Sequence, residues 1–245
     1  MSDSPGRAGR RAHAAAVLLA LLFPSVLTWV YFVALARSAP EIQQTAYALG
    51  KTIQFALPAF WVLAVQRRWP RLAWPGKAGL PEGLAFGAGV FALAMVLYHA
   101  WIKPAGWLAE LGPAVADKVA NFGIRGFWAY AAMGAFYSLA HSFLEEYYWR
   151  WFVFGQLREM LPWKAAAGVS SVGFMGHHVI VLGTYLGWDS PGTYLFSLAV
   201  AAGGTFWAWL YHRSRSLYGP WLSHLLIDAA IFAIGYDLVR PLFGR

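Results

Sequence analysis

Residues His141–Trp151 read HSFLEEYYWRW, and the fold and function of the chain turn on how this stretch is understood. Glu145, Glu146 and Arg150 stand close together at the end of a run otherwise built for lipid. A charged side chain at the bilayer centre costs at least about 2.5–3.5 kcal/mol on insertion scales, so three of them need a reason. Glu146 and Arg150 are four apart and share a helical face on which they can pair. Glu145 is turned about 100° from Glu146 and is free to point elsewhere. Taken alone, the stretch also fits a cytoplasmic helix end dressed with a Glu–Arg pair.

The surroundings are those of a membrane protein. The chain has 245 residues, of which 59% are hydrophobic and only 12% charged, whereas a soluble domain carries about 25% charged residues. Net charge is +8, but the basic residues cluster in short loops between apolar runs. They read as topology signals, so no nucleic-acid partner is expected. The absence of cysteine excludes disulfides, a thiol nucleophile and cysteine-ligated zinc.

Seven apolar runs are candidates to cross about 30 Å of hydrocarbon as helices. They are roughly Ala14–Ala36, Thr52–Val65, Leu80–Ile102, Phe127–Leu144, Ala165–Leu186, Tyr194–Tyr211 and Pro220–Leu238. The second is short; beginning it nearer Ala46 puts Lys51 in the interface, where its stem can snorkel. The fold expected is an all-α integral membrane bundle of about seven helices, or eight, around a polar intramembrane cavity. Arg7, Arg10 and Arg11, the RRWPRLAWPGK connection with Arg71 and Lys77, Arg158 with Lys164, and Arg213 with Arg215 fall on one side of such a bundle. The positive-inside rule then places the N-terminus in the cytoplasm and the C-terminus outside. An Ala34-x-Ala36 pair resembles a signal-peptidase site, but the apolar run before it is longer than the about 7–15 residues of a signal h-region, so an uncleaved span is expected. Residues Lys103–Arg125 read as an extracytoplasmic amphipathic segment.

Two further spans carry ionisable groups. GFMGHHVIV sets Phe174 and His178 four apart, with His177 beside them and Gly173 and Gly176 allowing close helix approach. WLSHLLIDAAIF sets His224 and Asp228 on one face at i, i+4. Either histidine could be a hydrogen bond between helices, and His177 is better read that way than as catalytic. Three spans each presenting a carboxylate or imidazole, with little else ionisable, point instead to a shared cavity.

The three motifs together resemble the CAAX prenyl endopeptidase and Abi (CPBP) family of intramembrane proteases. Its EExxxR, FxxxH and HxxxN or HxxxD signatures correspond to Glu145 through Arg150, Phe174 to His178, and His224 to Asp228. The approach YHRSRSLYGPWLSHLLID has the family's look as well. The resemblance divides the chain into an N-terminal membrane region (1–124), a catalytic membrane core (125–237) and a short tail (238–245). It implies that Glu145 is the general base, that His178 positions the attacking water, and that His224 stabilises the oxyanion. Glu146, Arg150 and Phe174 are implied as support. Ionised Asp228 only accepts hydrogen bonds; it is either protonated or orients His224 and stabilises imidazolium, and the second is preferred. No metal or cofactor is implied. The partner implied is a membrane-associated peptide or protein reached within the bilayer, and a bacterial-type inner membrane is the implied setting.

A zinc-dependent membrane protease is the nearest rival, since glutamate and histidine ligate zinc, but there is no HExxH helix. GVSSVG lacks a serine-elbow pattern, and Tyr236-Asp237 has no second Gly-x-Gly-Asp partner. A transporter, or a non-enzymatic immunity or scaffold protein using the polar cluster as a proton relay, is the rival from another class. No paired symmetry of interrupted helices supports it.

Overall fold

A computed structural model describes residues 7–69 and 78–243. Arg71 and Lys77, used above as topology signals, lie outside them, as do the side chains of Arg7 and Arg10 and the last two residues of the tail. In chain order the α-helices are α1 (Arg7–Trp29), α2 (Pro40–Phe60), α3 (Leu80–Leu97), α4 (Leu111–Asn121), α5 (Phe127–Phe136), α6 (Ser142–Glu146), α7 (Gly155–Arg158), α8 (Trp163–Leu186), α9 (Pro191–Ser214) and α10 (Tyr218–Val239). No strand occurs among the described residues.

Among the described residues, six helices are long and apolar enough to cross a membrane: Arg11–Ala34, Pro40–Val65, Leu80–Ile102, Trp163–Leu186, Pro191–Ser214 and Tyr218–Val239. The protein is thus an all-α, multi-pass integral membrane protein. The run Phe127–Leu144 is not among the six. It is cut by a π-helical turn at Tyr137–His141, and a second π stretch, Tyr147–Phe154, follows Glu146. Helices α1, α2 and α3 also finish in π turns, closed by Leu35 N–H to Val30 O (2.8 Å), Gln66 N–H to Trp61 O (2.9 Å) and Lys103 N–H to Tyr98 O (2.8 Å). Tyr31, Trp61, Tyr98 and Trp101 populate these ends, matching the preference of amphipathic rings for membrane interfaces.

The second span begins earlier than its apolar run suggested. Pro40 at the first helical position and Glu41 in the first turn start α2 there, because proline's fixed φ and missing N–H suit that position and a carboxylate suits the helix N-terminus. Lys51 consequently sits mid-helix rather than near its start. Its ammonium lies 5.5 and 5.3 Å from the ring centres of Tyr47 and Phe55, one helical turn to either side.

The chain forms two compact units, each built from two stretches of sequence. The first unit contains residues up to Arg71 and Tyr148–Trp209. In it, α1 packs against α8 where glycines thin the contact: a Cβ on Gly173 would fall 2.7 Å from Leu21 Cδ2, and one on Gly176 would fall 2.8 Å from Ser25 Oγ. Pro24 lies inside α1 and cannot give an N–H to the carbonyl one turn back. That carbonyl, of Ala20, instead accepts the hydroxyl of fully buried Tyr148 at 2.7 Å.

The second unit contains Leu72–Tyr147 and the chain from Leu210 onward. Here α3 and α10 meet backbone to backbone. A Cβ on Gly83 would lie 2.2 Å from Gly219 O, and one on Gly87 would lie 2.8 Å from Ser223 Cα. This is a small-xxx-small contact, in which missing side chains let helices touch. Helix α10 is fixed again where Tyr130 Oη donates to Phe232 O (3.1 Å), and at its end where Asp237 Oδ2 accepts from Tyr98 Oη (2.8 Å) and Lys103 Nζ (2.5 Å). The amphipathic segment expected in the Lys103–Arg125 connection is α4, whose Val115, Ala116 and Val119 pack with Tyr130 and Val239.

Candidate active site

His224 follows the residue at which α10 touches Gly87, so its height on the helix is set by backbone contact rather than by side-chain fit. The imidazole is buried and flanked by acids from α6 and from its own helix. Its Nδ1 donates to Glu146 Oε1 at 2.8 Å. Its Nε2 lies 3.8 Å from Glu145 Oε2 and 3.7 Å from Asp228 Oδ1. Glu145, Glu146 and His224 are 4%, 0% and 4% exposed, which places this charge cluster out of reach of bulk water. Such a cluster is tolerable only when its members face one another.

The second unit therefore brings together Glu145, Glu146, His224 and Asp228. His224 hydrogen-bonds directly to Glu146, 78 positions away, a pairing that i, i+4 arithmetic does not reveal. Asp228, one turn along α10, stands at ion-pair rather than hydrogen-bond distance. His141, to which no sequence motif gives a role, also faces the cluster, with Nε2 3.9 Å from Glu145 Oε1. The only hint in the sequence was its i, i+4 spacing from Glu145. Among the described residues, no group of three or more His, Asp or Glu side chains is arranged to hold a metal ion.

The first unit holds His178, Phe174 and Arg150 in a different setting. His178 Nδ1 lies 2.9 Å from the Phe174 carbonyl. A carbonyl only accepts, so Nδ1 carries the hydrogen, and in the neutral ring Nε2 is left with a lone pair. The Phe174 ring meets the imidazole edge-on at 4.7 Å. Arg150, fully buried, lies between two aromatic faces, 4.6 Å from the centre of Phe174 and 4.7 Å from that of Trp207. His177 stacks on Trp149 with the planes 8° apart. Trp149 and Trp207 were not legible as site residues, because aromatic residues at helical spacing look like ordinary lipid-facing or core positions.

Ionisable side chains buried within an apolar helical chain are costly and are characteristic of functional sites in membrane proteins. Residues 126–230 match the family model described as Type II CAAX prenyl endopeptidase Rce1-like. All three motifs fall inside the match, which covers less than half of the chain and supports the CAAX protease (CPBP) family. The match supports, in general terms, an intramembrane endopeptidase. No curated protein and no solved structure matches the chain.

Proposed function

We propose that the protein hydrolyses peptide bonds of membrane-associated substrates with a water activated by Glu145 and His178, and that His224 and Asp228 serve the oxyanion. The observation that carries this reading is the setting of His224, with Nδ1 committed to Glu146 and Nε2 turned toward Glu145 and Asp228. Glu145 takes a proton from the attacking water, and the hydroxide oxygen bonds to the scissile carbonyl carbon. With Nδ1–H on Glu146, His224 acts as imidazolium, and its second hydrogen, on Nε2, is donated to the oxygen that becomes negative. One such donor is worth about 2.7–4 kcal/mol in soluble proteases. As the C–N bond breaks, the proton held by Glu145 passes to the leaving nitrogen. Glu146 keeps the ring of His224 in one orientation, and Asp228 supports it from the next turn. His178 enters through the family's FxxxH motif; its Nδ1 bond to Phe174 leaves Nε2 suited to accept from water.

The catalytic core is assigned to 125–237, with 1–124 as the preceding membrane region. The basic loops support a cytoplasmic N-terminus, and a bacterial-type inner membrane is the setting that the family resemblance implies. The test is Glu145→Gln in purified full-length protein on a transmembrane peptide substrate. The amide keeps the shape and loses the base, so turnover falls by about 10²–10⁴-fold. Near-normal cleavage by Glu145→Gln would sink the assignment.

A further inference from the structure

The first unit carries a hollow of about 690 Å³, within the about 300–1,000 Å³ of small-molecule sites. Two short stretches wall it. Val62, Gln66 and Trp69 line it from the end of the second span, and Phe152, Gln156 and Glu159 line it from the helical run through α7. Both triplets are spaced i, i+4, i+7. Each wall passes from a buried apolar side chain, Val62 or Phe152, through an amide to a charge, Arg68 beside Trp69 on one wall and Glu159 on the other.

The two walls are in register. Gln66 Nε2 donates to Gln156 Oε1 at 2.8 Å, which leaves the pair a carbonyl acceptor on Gln66 and an amide donor on Gln156. At the next level Arg68 Nη1 lies 3.9 Å from Glu159 Oε1. The backbone sets that level: Arg67 turns the chain with a left-handed φ of 52°, as residues just past helix ends commonly do, and the Arg68 N–H returns to the Val62 carbonyl at 3.0 Å. The membrane-crossing helix ends at Val65 and the next span begins at Trp163, so the amides and charges stand where the chain leaves hydrocarbon. Trp69, 86% exposed, is the type of ring that favours this interface.

The charged level can accept a ligand. Glu159 Oε2 lies 3.7 Å from His13 Nδ1, and this contact and the one to Arg68 are both longer than hydrogen bonds. Such a surface pair holds weakly. A simple anion drawn to Arg68 would be repelled by Glu159, and a simple cation would meet the reverse. A molecule that carries both charges suits both residues.

We propose that the hollow binds a zwitterionic phospholipid with an ethanolamine headgroup. The acyl chains start against Val62 and Phe152, the ester groups meet the Gln66–Gln156 pair, the phosphate accepts from Arg68, and the ammonium donates to Glu159. The order of groups along such a lipid, from hydrocarbon through esters to charge, is the order along both walls. An ammonium with N–H donors hydrogen-bonds to a carboxylate, whereas a trimethylated one has no donor to give, which favours ethanolamine over choline.

The experiment offers phosphatidylethanolamine, phosphatidylcholine or phosphatidylglycerol to delipidated full-length protein and counts bound lipid by native mass spectrometry. One phosphatidylethanolamine per chain should bind about tenfold more tightly than either other lipid, the worth of one hydrogen bond to a charged group. Glu159→Gln should erase the advantage over phosphatidylcholine, and Arg68→Gln should weaken both zwitterionic lipids by about tenfold. Detergent melting confirms that both variants are folded, and the ranking of lipids on the unaltered protein stands without them. Equal binding of all three lipids would overturn the proposal, as would unchanged phosphatidylethanolamine binding in both variants. A preference for phosphatidylglycerol that depends on Arg68 would make the hollow an anion site instead. Absence of bound lipid, with KM for a transmembrane peptide raised in both variants, would give the hollow to the flank of the substrate and equally overturn the proposal.

Discussion

His178 in the first unit and His224 in the second are both imidazoles on membrane-spanning helices, yet their surroundings share almost nothing. His178 gives its Nδ1 hydrogen to its own helix and is walled by Phe174, with Arg150 held between the Phe174 and Trp207 rings nearby. His224 gives its Nδ1 hydrogen to a carboxylate and faces two more. The packing beneath them differs in parallel. Glycines of α8 leave room for side chains such as Leu21 and Ser25, whereas the glycines of α3 leave room for the backbone of α10 itself. An imidazole that donates to a carbonyl among rings is suited to present a lone pair. One set among carboxylates is suited to present an N–H. Under the proposed function, the two environments would give residues of identical chemistry different tasks, accepting from water at His178 and donating to the oxyanion at His224.

The largest expected effect tests that division directly. Glutamine can place an amide N–H near where Nε2 of histidine stands, but it has no basic lone pair on nitrogen. His178→Gln should therefore lose turnover by about 10²–10³-fold, within the range of a removed acid–base group. His224→Ala removes an oxyanion donor and should fall by about 10²–10³-fold, but His224→Gln keeps a donor and should lose only about tenfold. Turnover of the purified variants on one peptide substrate checks this. Equal losses for the two glutamine variants would erase the distinction between the sites.

A smaller effect is expected from the packing. Gly83→Ala puts a methyl group 2.2 Å from a backbone oxygen that no rotamer change can move, so α3 and α10 must separate. The cost should be about 1–3 kcal/mol, as for overpacked cores, with activity lost as well because His224 lies beside the contact. Gly173→Ala meets the flexible end of Leu21 and an edge of Trp149, and should cost less. Gly89→Ala meets nothing within 4 Å and should be neutral or stabilising by up to about 1 kcal/mol, since alanine suits a helix better. Thermal unfolding in detergent ranks the three. If Gly83→Ala and Gly89→Ala melted together, the backbone contact would not be what fixes α10.

The same contrast explains what was legible in the sequence. Charges and imidazoles stand out in an apolar chain, so Glu145, Glu146, His178, His224 and Asp228 could be singled out from the sequence, while the roles given to them come from the family resemblance. Of the seven apolar runs, six coincide with helices long enough to span among the described residues, while Phe127–Leu144 is cut by a π turn. Near-neighbour spacing along one helix says little about long-range partners. Glu146 was read through Arg150, four residues on, while its hydrogen bond to His224 reaches across the fold. His141 lay in the quoted stretch without a role, and its approach to Glu145 comes with a π turn that shifts the helical face. Hydropathy also carried no trace of Pro40 starting a span, so Lys51 was placed at a helix end instead of mid-helix.

The smallest effect expected concerns Tyr148, which the EExxxR motif carries as an unspecified residue. Its hydroxyl donates to the Ala20 carbonyl at 2.7 Å, and both groups are buried. That carbonyl lacks a helical donor because Pro24 has no N–H. Tyr148→Phe should therefore leave a buried acceptor unsatisfied and cost about 1–3 kcal/mol. Pro24→Ala supplies a backbone N–H at position 24, one turn from Ala20, and so provides the missing donor from within α1. In that background Tyr148→Phe should cost about 1 kcal/mol less, since only a second lone pair of the same carbonyl goes unused. A double-mutant cycle by detergent melting measures the difference, with activity as a check that the site is intact. Equal costs in the two backgrounds would mean that the tyrosine is held by its ring contacts with Phe55, Trp149 and Phe152 rather than by the proline's missing hydrogen.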